Sequence, residues 1–218
     1  MTFEWIDLIE LFTFVQLLFL SVVAFNYTGG KRLSNRILSG FMASNALLIG
    51  HLLLSHFGWI SPTKFKLLFS IGNSSYLLLM PFLFLYIRSL CYKDFHLKKA
   101  HVLHAIPFVV FSFFLLIMHL ATGEGIETGI TSLSHIITEI EYWSYKCILH
   151  IQIASYLVAS AMTLVVYRER LKDIYSSIEK IDLSWCNLLL IGFAAMWMTD
   201  LLGWILYSLH AVSPFVRE

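Results

Sequence analysis

The chain has 218 residues, of which 58% are hydrophobic and 13% charged, with a net charge of +1 and a mean hydropathy of +0.76. A soluble domain carries about 25% charged residues, so a water-soluble fold is excluded. The near-neutral balance does not select a partner, and Cys91, Cys147 and Cys186 fall in separate segments without CxxC spacing, which excludes a disulfide framework or a thiol-redox pair.

Six apolar stretches predict membrane spans near Trp5–Asn26, Ile37–Ile60, Phe65–Ile87, Val102–Ala121, Trp143–Tyr167 and Leu183–His210. The first carries Glu4, Asp7 and Glu10 where a signal peptide needs positive charge, so it reads as a retained helix. The segments lack alternating hydrophobicity and are about twice as long as a spanning strand, which argues against a β-barrel. The expected fold is therefore all-α, a polytopic transmembrane helical bundle of about six spans, and residues 1–218 read as a single integral membrane domain without internal repeats. Gly72, Pro81 and Pro107 are the expected kinks.

The basic residues are distributed unevenly. Lys31, Arg32 and Arg36 lie in the first loop, Arg88, Lys93, Lys98 and Lys99 in the third, and Arg168, Arg170, Lys172 and Lys180 in the fifth. Eleven of the fifteen Lys and Arg thus share one face. The positive-inside rule makes that face cytoplasmic and the N-terminus external. In the fifth loop, Tyr167, Leu171, Ile174, Ile178 and Ile181 keep helical spacing, which predicts that span five continues past the bilayer; a fresh helical start at Ser176, with Glu179 completing a capping box, is the competing description. Leu171, Ile174 and Ile178 form a candidate signal-output surface, weighed against a solvated anchor. The opposite loop, Thr122–Tyr142, holds Glu124, Glu127, Glu139 and Glu141 without Lys or Arg. Its Ile130, Leu133, Ile137 and Ile140 fit a short amphipathic surface helix, read as a connection rather than a lid.

Three loop passages, NYTGGKRLSNRIL at Asn26–Leu38, PFLFLYIRSLCYKDFHLKKAHVLHAIPF at Pro81–Phe108 and SSIEKIDLSW at Ser176–Trp185, resemble the multi-pass N-terminal membrane domain of bacterial membrane-bound AraC-type transcriptional regulators. Similar domains also precede histidine-kinase modules. The resemblance implies a sensor of an extracytoplasmic or lipid-phase signal in the bacterial cytoplasmic membrane. It also implies that nucleic acid is reached only through a helix-turn-helix domain lying outside this chain. With six spans the sequence ends at Glu218 on the external side, so one further span would carry such an output domain to the cytoplasm. The expected partners are the lipid bilayer, a small ligand of unknown identity and a second copy of the chain in a homodimer. A membrane enzyme using intramembrane His and Asp, or a small transporter, is the alternative function.

Asp200 is the acidic residue deepest within a span, and burying its charge costs about 2.5–3.5 kcal/mol unless it is paired or hydrated. It is therefore expected to face the bundle interior. Phe193, Trp197, Trp204 and Tyr207 follow the same helical face, a pattern suited to a cationic ligand held by a carboxylate and ring faces. His51 and His150 are candidate partners at similar depth, so Asp200, Trp197, Trp204, His51 and His150 form the expected ligand site; structural pairing of Asp200 with a neighbouring helix is the plainer alternative. His96, His101 and His104 lack a local carboxylate or cysteine to complete a metal site. No cofactor and no catalytic residue is assigned, and Ser74 and Ser75 in IGNSSY read as helix contacts.

Overall fold

The computed structural model describes residues 5–122, 131–174 and 183–212, and these are helical, with no strand among them. The helices are α1 (Trp5–Asn26), α2 (Arg32–His56), α3 (Lys66–Ser74), α4 (Tyr76–Cys91), a 3-10 helix (Lys99–Ala105), α5 (Ile106–Thr122), α6 (Thr131–Ile174) and α7 (Ser184–Val212). Five helical stretches are long and apolar enough to cross a membrane, or six when the bent pair α3 and α4 counts as one span. The protein is a multi-pass helical membrane protein. By contacts the chain divides into two compact units, residues 1–149 and 150–218, although its sequence reads as one domain.

Burial on α1 is inverted relative to a water-soluble fold, whereas α4 buries mostly apolar residues such as Leu77, Leu83 and Ile87. On α1 the buried residues are Asp7 and Ser21, while Ile6, Phe12 and Phe19 are exposed. In lipid, apolar side chains lose nothing by facing outward, and helices associate through small residues and polar groups. Ser21 Oγ donates to Ser39 O (3.0 Å) and Ser39 Oγ to Ser21 O (2.8 Å), which locks α1 against α2. Gly50 leaves the space that the Phe14 ring occupies, and Gly40 does the same for Phe82, so α2 packs closely on α1 and α4.

Helix ends fall where local chemistry places them. Asn35 Nδ2 donates to Tyr27 O and Gly29 O, which closes the turn between α1 and α2. Consequently α2 starts at Arg32, ahead of the expected Ile37. It stops at His56 rather than Ile60 because Gly58 adopts a left-handed φ of 67° and its N–H bonds Ser55 O.

The kink of the third span lies at Ser75, where α3 and α4 meet at 41°. Ser75 Oγ donates to Gly72 O and Ser74 Oγ to Ser70 O, back-bonds that bend helices. Pro81 was an expected kink, yet α4 runs through it unbroken; its missing N–H would have bonded only the second residue of that helix. Pro107 is the second residue of α5, in the first turn, where N–H groups have no intrahelical partner, so it starts a helix without bending one.

At 44 residues α6 is about 66 Å long, roughly twice the hydrocarbon thickness. Its continuation to Ile174 agrees with the helical spacing read in the fifth loop. At its other end, the separate amphipathic helix expected around Ile130–Ile140 is instead the first three turns of α6. The remainder of the stripe, including Ile178, and the proposed cap at Ser176 lie outside the described residues.

Candidate functional site

Four of the five expected ligand residues come together in the second unit. Trp197, Asp200 and Trp204 are spaced by three and four along α7, which sets them on one helical stripe, and His150 of α6 meets that stripe. Trp197 Nε1 donates to His150 Nδ1 at 3.1 Å, the Trp204 ring lies 5.0 Å from the imidazole at 36°, and Asp200 Oδ2 stands 3.9 Å from His150 Nε2. An indole nitrogen can only donate, so Nδ1 of His150 is the acceptor and the ring proton resides on Nε2, facing the carboxylate. His150 is 6% exposed, whereas the Asp200 side chain is 47% exposed.

Within the second unit Asp200 is thus the more open member of the pair. The histidine is the buried member of the group, and the carboxylate sits at its rim between two indoles. Of the wider aromatic face, Tyr207 is 61% exposed.

His51 belongs to the first unit and has surroundings of its own there. Its ring lies against Gly72, where a Cβ would sit 2.4 Å from Nδ1, and 5.0 Å from the Phe69 ring; Phe69 in turn lies 5.4 Å from His119, whose Nδ1 is 3.1 Å from Ser70 Oγ. His51 and His119 are buried, so the small and hydroxylated residues of α3 accommodate two imidazoles rather than a bare helix contact.

A second acidic group was missed by the sequence reading. Asp7 is 1% exposed and its Oδ1 lies 3.4 Å from His56 Nε2, so a carboxylate at the start of α1 meets a histidine at the end of α2. Asp7 lines a cavity of about 420 Å³ walled also by Leu11, Phe14, Leu53 and Trp59. Asp7 had been used only as evidence against a signal peptide. The available signal was that α1 and α2 form an antiparallel hairpin, which brings residue 7 beside residue 56.

Near the basic end of the second unit, Asn187 Oδ1, with its amide oriented to accept, takes hydrogen bonds from both terminal nitrogens of Arg168 at 2.7 and 3.1 Å. This bidentate contact ties the last turns of α6 to the first turn of α7. Leu171, one turn beyond Arg168, is 7% exposed. The expected output stripe is therefore not an open surface at Leu171; Ile174 ends α6, and Ile178 lies outside the described residues.

Among the described residues no group of three His, Cys, Asp or Glu converges with metal-binding geometry; His101 and His104 stack at 6.1 Å. Compared with family models, with curated proteins and with solved structures, the chain matches none.

Proposed function

We propose that this chain is the sensing domain of a bacterial membrane receptor, in which the His150, Trp197, Asp200 and Trp204 cluster takes a small organic cation and the α6–α7 pair passes the change to the basic, cytoplasmic end. The observation carrying this reading is the half-exposed Asp200 carboxylate flanked by two indoles and backed by a buried imidazole. A quaternary or primary ammonium satisfies that set, with the carboxylate neutralising its charge and the rings adding about 0.5–2 kcal/mol of cation–π attraction each. Arg168 lies eighteen residues from His150 on the same helix, about 27 Å along its axis. A tilt of α6 at the cluster would thus be delivered to the Arg168–Asn187 contact.

The loop resemblance to the membrane domains of AraC-type regulators supports transcriptional output through a DNA-binding domain beyond this chain, in a homodimer. With the basic loops on the cytoplasmic side, as the positive-inside rule supports, the signal would run inward. In a Cys147→Ser background, a cysteine at position 93 should react only from inside the cell and one at position 63 only from outside; the reverse pattern overturns that direction.

For the site, the whole chain in zwitterionic nanodiscs is titrated with benzyltrimethylammonium and choline while tryptophan emission is read. Saturable quenching that is lost in Asp200→Asn and in Trp204→Leu is expected. No saturable change, or a change that survives Asp200→Asn, contradicts the assignment.

A further inference from the structure

At the basic end of the first unit, two clefts share a wall. One, of about 350 Å³, is lined by Arg88, Lys93, His96, Lys98 and His101, with Asp94 as its acidic member. The other, of about 280 Å³, runs between α4 and the 3-10 helix over Leu78, Pro81, Phe82, Leu85, Leu97 and Val102. Lys98 and His101 line both, so a cationic cleft opens directly onto an apolar groove.

The cations are held in place without being neutralised. The Arg88 guanidinium lies 5.7 Å from the Phe84 ring centre and 5.9 Å from that of Phe95, and neither Arg88, Lys93 nor Lys98 forms an ion pair with a described carboxylate. The Lys98 N–H donates to His101 Nδ1 at 2.9 Å, which fixes that ring and leaves its proton on Nε2. Asp94 acts on Lys31, whose ammonium bonds the carbonyls of Ser89 and Tyr92; burial holds the Lys31 pKa below the ordinary lysine value, and Asp94 is the largest influence opposing that fall.

We infer that this pair of clefts is a binding site for one anionic phospholipid of the surrounding bilayer, its phosphate held by Arg88, Lys93 and Lys98 and an acyl chain lying in the groove over Leu97 and Val102. Charge complementarity selects the headgroup, because three unpaired cations converge where the apolar helices end. The groove selects a lipid over a soluble phosphate, because beyond the Lys98 and His101 edge that it shares with the cationic cleft its walls are mostly apolar and suit an acyl chain. A planar, always-charged guanidinium matches phosphate oxygens, and an anionic headgroup brings that phosphate without the ammonium of a zwitterionic one, which the cleft's cations repel. The site lies wholly within residues 78–105 and is independent of the ligand cluster on α6 and α7.

Native mass spectrometry of the whole chain in neutral detergent, titrated with dioleoyl phosphatidylglycerol or dioleoyl phosphatidylcholine, tests the inference. One phosphatidylglycerol should be retained at least about tenfold more tightly than phosphatidylcholine, and Arg88→Gln with Lys98→Gln should remove that preference. Arg32→Gln with Arg36→Gln, which deletes two cations from the same end outside the cleft, should leave it intact. Leu97→Trp, at a half-exposed position, should weaken retention by filling the groove without altering charge. Equal retention of both lipids, equal loss in the Arg32 and Arg36 variant, or displacement by glycerol phosphate as effective as by intact lipid would each overturn it.

Discussion

The α1–α2 pair and the α6–α7 pair are both antiparallel neighbours in a membrane, yet their seams differ. Between α1 and α2 Ser21, Ser39 and Gly50 are short groups that bring the backbones together, and the Asp7–His56 pair closes one end. Between α6 and α7 the junctions are long polar side chains: His150 to Trp197 toward one end, and Arg168 to Asn187 toward the other. A small-residue seam has few alternative arrangements, because any displacement opens a void or a clash. Long side chains can exchange partners while the helices stay associated. One seam thus rests on close approach of backbones and the other on the side-chain partners that meet across it, and the proposed ligand cluster sits on the second.

The most damaging change in the first unit is Gly72→Ala on α3, where α3 meets α2. The added methyl would lie 2.4–2.7 Å from the Nδ1, Cγ and Cβ atoms of His51, so α2 and α3 must separate, and thermal unfolding in detergent should show a loss of about 3 kcal/mol. Next comes Asp7→Ala, which strips His56 of a carboxylate buried to 1% exposure and should cost about 2 kcal/mol by the same measurement. Ser21→Ala removes one hydroxyl from the seam while Ser39 keeps its bond to the Ser21 carbonyl, for an expected loss of about 1 kcal/mol. His150→Ala should be the mildest of the four, about 0.6 kcal/mol, with a shift in tryptophan emission as Trp197 loses its acceptor. A His150 variant less stable than the Gly72 variant would erase the distinction between the two regions.

Much of this architecture was readable from residue order. Sustained apolarity located the spans, with α1 and α7 placed within two residues of their ends, since only a helix satisfies its backbone in lipid. Stop points such as Gly58 were harder, because a left-handed terminus depends on the φ that one glycine adopts. The kinks were expected at Gly72, Pro81 and Pro107; the bend lies at Ser75, three residues past Gly72, where serine back-bonding, which depends on a rotamer, accompanies it. For the site, the spacing of Trp197, Asp200 and Trp204 disclosed their common stripe, and His150 was named among their partners. What periodicity could not supply was which neighbour a side chain meets, so His51 was assigned to the same group and the Asp7–His56 pair was overlooked. Exposure was likewise beyond periodicity, which does not say how open the Asp200 carboxylate is within the α6–α7 pair.

The central claim, that α6 and α7 move against each other while α1 and α2 do not, is tested most directly by electron–electron distance measurements in lipid nanodiscs. With Cys147 replaced by serine, spin labels at positions 169 and 188 report on the first pair and labels at 23 and 36 on the second. Adding benzyltrimethylammonium should shift the 169–188 distance by about 2 Å, the scale of a helix displacement in signalling, while Asp200→Asn abolishes the shift and the 23–36 distance stays fixed throughout. An unchanged 169–188 distance, or an equal shift in both pairs, would contradict the account.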